Sequence, residues 1–546
     1  MSNIIVPGSG LFKPPEKVVW SPLPGSQTLA MSCPAHIIVY HGSRGPGKTD
    51  AQLLRFRSRV GVGYGRHWRG IIFDREYKNL DDLVSKSQRW FPEFKDGCRF
   101  INSKSDYKWV WKTGEELLFR TVKKENDYWG YHGQEFPFIG WNELTKYPND
   151  KLFDMMMSCN RSSFRPEDFP YYINGEIYER KGIKQQVPSH HKKAVKCLLP
   201  EINLEVFATC NPHGAGHNWV KKRFITAGRM GEIVKDIVNV FNPRTQERMD
   251  VVKTQVQIFG SYRENKYLTP EYVATLEKID EPNKKKAWLL GDWDVVAGGM
   301  FDDLWDTSIH VVKPFDIPAT WRIDRSFDWG SSAPFSVGWW AESDGCDVLL
   351  PDGTIRHTIR GDLFRIKEWY GSNGRPNEGL RLIGEDISKG IIEREIKSKL
   401  YGIVHPGSAD GSIFDVENGN SIAGSMLKSV TIRGNKYPGV DWTRADKSAG
   451  SRIAGWEKLR LYLKHAKKGE IIDEETGEKE IIPREKPGLF IFDNCKDFIE
   501  LFPVLPRDED EPDDVDTEAE DHCADEARYK LLSVGLGARG GKTKGT

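Results

Sequence analysis

The chain has 546 residues, with 79 Lys and Arg against 79 Asp and Glu, so its formal net charge is zero. That balance excludes a uniformly basic nucleic-acid coat, although local basic patches can still bind phosphate groups. Hydrophobic residues make up 38% of the chain and aromatic residues 11%, which supplies enough bulk for packed cores and excludes wholesale disorder.

No apolar run is long enough to span a membrane, and the N-terminal residues lack the charged and apolar regions of a secretory signal. The eight cysteines are scattered and form no Cys-x-x-Cys pair, which disfavours a zinc site or a disulfide framework. We therefore expect no membrane association and reduced thiols, as in the cytosol.

The first half of the chain alternates short apolar strands with helical patterns. Strands are predicted at 36–40, 70–74, 136–140 and 204–209, and a helix is predicted over 50–60. This alternation is typical of a parallel α/β sheet.

A glycine-rich loop joins the first strand to the helix and fits the P-loop (Walker A) pattern G-x-x-x-x-G-K-[ST]. Lys48 is expected to reach the β- and γ-phosphate oxygens, and the Thr49 hydroxyl to bind Mg²⁺. Backbone N–H groups would surround the phosphates at the other positions of the loop: Gly42, Ser43, Gly45 and Gly47. The alternative is a glycine-rich turn with a surface lysine.

The strand at 136–140 leads into Asn142 and Glu143. Nucleotide hydrolysis commonly uses Asp-Glu at this place, the Asp for the metal shell and the Glu to activate water. Asn142 carries no charge, so the metal would depend more on Thr49 and the phosphates. Glu143 is the predicted base, and the alternative is a solvated Glu at a helix N-terminus.

The strand at 204–209 ends in Thr209, and Asn211 follows it. Polar side chains at the end of a buried strand can sense the γ-phosphate, although Asn-Pro is also a common turn.

The second half contains predicted strands at 321–328, 336–340, 382–384 and 402–405, after a Gly-, Asp- and Pro-rich boundary at 291–318. A charged segment at 464–486 is typical of a hairpin insertion.

Two-metal cleavage of a phosphodiester needs several carboxylates around the ions, and this half offers acids at three suitable places. Asp328 ends a strand, Asp410 follows another, and Asp521 and Asp525 share one helix face at i,i+4. The sequence leaves open which of the two helix acids is the third metal ligand, with Asp525 preferred, and Asp386 is in reserve. Alternatively, these acids cap turns or belong to a solvated acidic face.

Taken in order, these motifs resemble the large terminase subunit of tailed double-stranded DNA phages. The resemblance covers about residues 20–535, and it rests on the segments 42–49, 141–145, 209–212, 261–268, 288–293, 325–332, 408–415 and 516–529.

The resemblance implies an α/β fold in two parts. A P-loop ATPase domain with a lid and a parallel sheet would occupy 1–300, a linker 301–320, and a ribonuclease-H-like α/β nuclease domain 321–536. The basic, glycine-rich composition of residues 537–546 predicts a flexible tail.

The resemblance also implies a DNA-packaging motor. ATP hydrolysis would drive double-stranded DNA into the procapsid, and a metal-dependent endonuclease using Mg²⁺ or Mn²⁺ would cut the concatemer. Arg44 would stabilise the transferring phosphate charge, Gln27 would contact adenine, and Thr209 and Asn211 would couple hydrolysis to movement. Asn142 departs from the family's usual Asp, which bears on the strength of metal binding.

The implied partners are double-stranded DNA, the portal protein and a small terminase subunit, with a homo-oligomeric ring on the procapsid in the host cytoplasm. Two other interpretations remain. One is an ATP-driven helicase or translocase whose C-terminal domain is a non-catalytic DNA- or protein-binding module. The other is a non-catalytic capsid or portal-docking protein with a decayed P-loop.

Overall fold

The computed structural model of the protein describes residues 18–103, 106–168, 171–173, 177–180, 195–242, 245–280, 285–294, 299–416, 419–472, 479–508 and 510–534. The chain forms two compact units, residues 1–297 and 298–546. The predicted basic tail lies outside the described residues, and the predicted domain and linker limits stay predictions. Among the described residues, no helix combines the length and apolar composition needed to cross a membrane.

The first unit is built on strands that alternate with helices. Its described α-helices are α1 (Ser26–Ser32), α2 (Lys48–Arg57), α3 (Tyr77–Trp90), α4 (Lys151–Met157), α5 (His217–Val220) and α6 (Pro270–Glu277). Its described strands are β1 (Ile37–Gly42), β2 (Arg69–Asp74), β3 (Arg99–Ile101), β4 (Lys108–Val110), β5 (Glu116–Thr121), β6 (Phe138–Trp141), β7 (Tyr171–Ile173), β8 (Ile177–Arg180), β9 (Val195–Cys197), β10 (Glu205–Thr209), β11 (Val234–Asn242) and β12 (Glu247–Gly260).

A nine-stranded sheet forms the centre of this unit, in the order β11-β12-β1-β10-β6-β2-β5-β4-β3. The strands from β12 to β5 are parallel, and the antiparallel strands lie at the two edges. The central strands are apolar and buried because helices cover both faces of a parallel sheet. The carboxyl ends of β1, β10, β6 and β2 therefore meet along one edge, which is where ligands bind in such sheets.

The second unit is also α/β. Its described α-helices are α7 (Thr307–His310), α8 (Gly384–Lys397), α9 (Ile422–Met426), α10 (Ser451–Ala466), α11 (Lys496–Leu501) and α12 (His522–Ser533). Its described strands are β13 (Val311–Val312), β14 (Arg322–Asp328), β15 (Ser336–Glu342), β16 (Val348–Leu349), β17 (Ile355–Arg356), β18 (Leu363–Tyr370), β19 (Val404–His405), β20 (Gly407–Ala409), β21 (Val430–Ile432), β22 (Asn435–Tyr437), β23 (Trp442–Arg444), β24 (Gly469–Ile472), β25 (Lys479–Ile482) and β26 (Leu489–Phe492).

An eight-stranded mixed sheet runs in the order β13-β26-β18-β15-β14-β20-β23, with β19 also paired to β14. Strands β14, β15 and β18 are antiparallel neighbours, whereas β20 and β23 continue parallel to β14. Both units are α/β, so the predicted fold class is confirmed. The predicted hairpin is present as β24 and β25, and its turn lies outside the described residues.

The strand predicted at 382–384 is wrong, because Gly384 begins helix α8. Two acids, Glu385 and Asp386, lie in the first turn, and Ile387 and Ile391 are buried four residues apart. That helical period outweighs the short apolar run before it. Asp386, the reserve candidate, is exposed on this helix.

Candidate active sites

The glycine-rich loop runs from the end of β1 into the first turn of α2, with Lys48 and the half-buried Thr49 as the first helical residues. Gly42 has φ 126°, and a Cβ there would lie 2.3 Å from the carbonyl oxygen of Gly260. Gly47 has φ 84°, and its Cβ would lie 2.5 Å from Nε2 of Gln27. At each of these two positions only glycine fits. The loop can therefore fold tightly at the N-terminus of α2, where its backbone N–H groups can form an anion site.

Lys48 is buried in this loop, and burial lowers the pKa of its ammonium to about 8. Its Nζ donates to the carbonyl oxygen of Ser43 at 2.7 Å and to Oδ1 of Asn211 at 2.8 Å. Both acceptors are neutral, so a phosphate would be a stronger partner for the ammonium than the present ones.

Asn211 connects Lys48 to Glu143. Strand β10 lies between β1 and β6, which places Asn211 between the glycine-rich loop after β1 and Glu143 after β6. Its Nδ2 donates to the two Glu143 carboxylate oxygens at 3.3 and 3.2 Å while its Oδ1 accepts from Lys48. One amide therefore contacts both the cation and the predicted base.

Glu143 adopts a left-handed backbone conformation, with φ 50° and ψ 63°. Such a conformation is unfavourable for a residue other than glycine, and it is found where surrounding contacts hold it. The N–H of Glu143 donates to Oγ1 of Thr209 at 3.3 Å. Thr209, predicted to couple hydrolysis to movement, thus contacts the backbone of the predicted base.

Asn142 is buried beside Thr209 and Asp74. Thr209 Oγ1 donates to Oδ1 of Asn142 at 3.3 Å, and Asn142 Nδ2 donates to Oδ2 of Asp74 at 2.7 Å. Asp74 is fully buried at the end of β2. Sequence reasoning missed it, although a buried strand ending in Asp is the same signal that indicated the other acids.

The segment 288–293 supports Arg44. The Arg44 guanidinium lies 3.3 Å from the centroid of the Trp288 ring, and the Arg44 N–H donates to the Trp288 carbonyl at 2.9 Å. Burial lowers the Arg44 pKa, and the charges of Tyr272 and Glu143 oppose that shift. Arg44 is therefore held inside the loop by cation–π stacking.

Segment 261–268 supports the loop from its other side. Ser43 Oγ accepts the N–H of Tyr262 at 2.6 Å, and Asn265 Nδ2 donates to the Gly45 carbonyl at 2.7 Å. Gln27 uses its amide on backbone groups: Oε1 accepts the N–H of Leu23 at 2.6 Å, and Nε2 donates to the Gly47 carbonyl at 2.9 Å. The contact of Gln27 with adenine stays a prediction.

The acids of the second unit also meet at one edge of a sheet. Asp328 ends β14, and Asp410 follows β20, which pairs with β14 in parallel. The N–H of Asp410 donates to the Phe327 carbonyl at 2.9 Å, which places the two acids on neighbouring strand ends. Helix α12, which follows Asp521 and carries Asp525, packs on β14.

Basic side chains contact each of these four acids. His522 Nδ1 lies 3.2 Å from Oδ2 of Asp328, and Lys447 forms an ion pair with Asp410. Arg452 lies between Asp521 and Asp525, at 3.3 and 3.1 Å, and it also pairs with Asp514 at 2.7 Å. The Arg452 guanidinium thus offsets the repulsion between these two like charges at i,i+4. The sequence did not predict Arg452 and Lys447 as partners of these acids.

The electrostatics of the cluster reflect burial and like charge. Burial, with the charges of Asp525 and Asp410, raises the Asp328 pKa to about 6, although His522 opposes the shift. Burial, with the charge of Asp525, raises the Asp521 pKa to about 7. Burial alone would lower the His522 pKa, but its hydrogen bond to Asp328 and the charge of that acid raise it to about 9.

The donor chemistry of Asp328, Asp410 and Asp525 fits Mg²⁺ or Mn²⁺, which prefer hard carboxylate oxygens. A divalent cation would also offset the burial and the like charge that raise the Asp328 pKa. In the described parts of the chain, however, no three His, Cys, Asp or Glu side chains are arranged to hold a metal ion. In this structure the four acids contact Lys447, Arg452 and His522 instead.

The raised His522 pKa predicts a pH-dependent stability. Because the folded chain binds this proton more tightly than the unfolded chain, the stabilisation is complete below the ordinary pKa of about 6.5 and is lost as pH rises through about 9. The free energy of unfolding should fall by on the order of 3 kcal/mol between about pH 6 and about pH 10. Thermal unfolding of the wild type and His522→Gln measures this, and equal pH slopes in the two proteins would contradict it.

No protein-family profile matches the chain, and no curated protein matches it. Solved structures that resemble it include the large terminase of a thermophilic bacteriophage, at 14% identity over 94% of this chain and 100% of that one, with a TM-score of 0.35. The HK97 bacteriophage large terminase is 8% identical over 92% and 93% of the two chains, with a TM-score of 0.39. The P22 large terminase nuclease domain is 14% identical over 43% and 93%, with a TM-score of 0.27.

These structures come from the family that the sequence motifs resemble. The terminase of the thermophilic phage has been solved with ADP and with ATP-gamma-S.

Proposed function

We propose that the chain is a viral DNA-packaging motor whose first unit hydrolyses ATP to translocate double-stranded DNA and whose second unit cuts DNA. The observation that carries the proposal is the contact of Asn211 with both Lys48 and Glu143 at the carboxyl edge of a parallel sheet. A phosphate loop, a sensing amide and a candidate base in this order suit hydrolysis of a nucleoside triphosphate.

In this proposal the glycine-rich loop binds the phosphates, and Lys48 exchanges its neutral acceptors for a γ-phosphate oxygen. Arg44, held on Trp288, supplies a second positive charge to the transferring group. Glu143 orients and deprotonates the attacking water. Mg²⁺, when bound beside Thr49, would neutralise phosphate charge.

Asn211 and Thr209 would report the state of the phosphate. Loss of the γ-phosphate changes what Lys48 can bind, and Asn211 contacts Lys48 directly. A change at Lys48 therefore reaches Glu143 through one side chain, which is the connection that coupling requires.

In the second unit Asp328, Asp410 and Asp525 would hold Mg²⁺ or Mn²⁺, with Asp521 beside them. Two such ions would activate water and stabilise the leaving oxygen of a phosphodiester. His522 contacts Asp328 and favours its ionised form against the effect of burial, and a metal would require that form of this ligand.

The partners in this proposal follow the resemblance of the sequence to large terminases. They are double-stranded DNA, the portal protein and a small terminase subunit, and the protein would form a ring on the procapsid in the host cytoplasm.

Two assays on the full chain test the proposal. ATP turnover is measured with and without linear double-stranded DNA, and plasmid cleavage is measured with Mg²⁺ or Mn²⁺ and with EDTA. Turnover stimulated by DNA, together with cleavage that EDTA stops, is the expected result. A chain that neither hydrolyses ATP nor cuts plasmid contradicts it.

The ion pairs of the second unit favour one other candidate. Because Lys447, Arg452 and His522 already compensate the four acids, that cluster also suits a structural network in a DNA- or protein-binding module. The chain would then be an ATP-driven helicase or translocase. ATP turnover without any metal-dependent cleavage would support that candidate.

Asn211→Ala tests the connection between Lys48 and Glu143. The variant should still bind ATP, because the loop and Lys48 remain, but its turnover should fall about 100-fold since Glu143 loses its positioning contact. Fluorescent-nucleotide binding and phosphate release measure the two effects. Asn102→Ala, at an exposed position, is the matched control. Unchanged turnover in Asn211→Ala would exclude Asn211 from the site.

A further inference from the structure

Strand β6 is followed by Asn142 and Glu143 where Asp-Glu is expected, and the structure gives a reason for the amide at position 142. Phe73 of β2 and Trp141 of β6 are register partners, so Asp74 and Asn142 follow them side by side. Both are buried, and Asn142 Nδ2 donates to Asp74 Oδ2 at 2.7 Å. A carboxylate at position 142 would face the Asp74 carboxylate, and two buried carboxylates at that distance cannot both ionise.

The contacts of Asp74 give the hydrogen-bond chain a direction. Each described partner of its carboxylate is a donor: the N–H of Glu76 at 3.0 Å, Asn79 Nδ2 at 3.2 Å, Asn142 Nδ2 and Lys146 Nζ. Because Nδ2 of Asn142 must face Asp74, its Oδ1 must face Thr209 and accept the hydroxyl hydrogen. The Thr209 oxygen is then free to accept the N–H of Glu143.

Asp74 also holds the chain on both sides of Glu143. Asn142 precedes Glu143, and Lys146, three residues after it, lies 3.3 Å from both carboxylate oxygens of Asp74. Glu143 lies between these two anchors in its left-handed conformation. The neighbours on both sides of this conformation, Asn142 and Lys146, are therefore held by one buried carboxylate.

We propose that Asp74 is a positioning residue for Glu143, and that Asp74 and Asn142 are a matched carboxylate–amide pair across two strands. The carboxylate expected at position 142, after β6, is thus carried by Asp74 at the end of the neighbouring strand β2. This inference rests on the proposed ATPase function of the same site, which it deepens. It also gives Asn142 a role other than decay of the P-loop, because the Asp74 carboxylate needs an amide donor at that position.

A charge swap tests the pair in the full-length protein. Asn142→Asp should lower kcat roughly 100-fold with little change in the KM for ATP, because the base is misplaced while the phosphate loop is intact. Asp74→Asn should lower kcat less, since an amide oxygen at position 74 can still accept from Asn142. The double variant Asp74→Asn with Asn142→Asp restores a donor facing an acceptor, and its kcat should return to within about tenfold of the wild type.

Matched controls come from exposed positions of the same unit, Asp82→Asn and Asn102→Asp, which should keep wild-type turnover. Wild-type turnover by Asn142→Asp, or a double variant no faster than Asn142→Asp, would overturn the pairing. A rise in KM that matches the fall in kcat would show general damage to the site in place of positioning of Glu143, and it would also overturn the pairing.

Thermal unfolding without nucleotide separates this inference from the proposed function. Asn142→Asp should unfold at a lower temperature than the wild type, and the double variant should recover most of the loss. If the wild type hydrolyses no ATP, the proposed function fails, yet the unfolding temperatures still measure the pair. Additive effects of the two substitutions on stability would then overturn the pairing itself.

Discussion

Lys48→Ala is expected to reduce ATP hydrolysis by about two to three orders of magnitude while plasmid cleavage continues. The ammonium of Lys48 is the positive charge at the centre of the loop, and it contacts both Ser43 and Asn211. Without it, the γ-phosphate loses a charge-assisted hydrogen bond and Asn211 loses one of its two partners. The second unit has its own core and its own acids, so cleavage should not depend on this lysine.

The test measures phosphate release and plasmid cleavage on the same preparation. Lys78→Ala, an exposed lysine at the start of α3, is the matched control and should behave as the wild type. Thermal unfolding is needed as well, because Lys48 is buried and its removal leaves acceptors without their donor. A folded Lys48→Ala protein that still hydrolyses ATP at the wild-type rate would sink the assignment of the phosphate loop.

Asp328→Asn is expected to have the opposite effect, with cleavage reduced by about two to three orders of magnitude and ATP turnover retained. The substitution keeps the shape of a buried side chain at the end of β14 and removes its charge. A metal ion then loses a carboxylate ligand, and His522 loses the acid that raises its pKa.

Asp324→Asn is the matched control for this experiment. Asp324 is buried on the same strand, but its carboxylate contacts Lys530 at 2.7 Å and no acid of the candidate metal site is among its described partners. Cleavage at the wild-type rate by Asp328→Asn would remove Asp328 from the metal site. Loss of both activities in Asp328→Asn would indicate a general folding defect. Comparing its unfolding temperature with that of Asp324→Asn helps to recognise such a defect.

Much of the first site could be predicted because its residues are close in sequence. The loop from Gly42 to Thr49 carries its own conformational requirements, and the strand before it and the helix after it are short-range features. Glu143 is predicted as the base in the same way, from an apolar strand followed by an acid. Each of these inferences needs only a few neighbouring residues.

The partners of these residues could not be predicted, since they depend on which strands become neighbours. Asp74 and Asn142 are 68 residues apart in the chain, and they meet only because β2 and β6 are adjacent. Arg452 is 73 residues from Asp525 and belongs to another helix. The strand predicted at 382–384 failed for a local reason, since the helical spacing of Ile387 and Ile391 begins directly after it.

The sequence by itself therefore determined the α/β class, and it also marked the glycine-rich loop and the candidate acids at strand ends, because backbone conformation and strand ends are encoded in short stretches of residues. The tertiary structure alone decided which donor faces which acceptor. Sheet order places Asn211 between Lys48 and Glu143, and it sets the buried Asp74 beside Asn142. Buried polar groups must be satisfied by whatever the fold brings within about 3 Å, so their pairing is a property of the packed molecule.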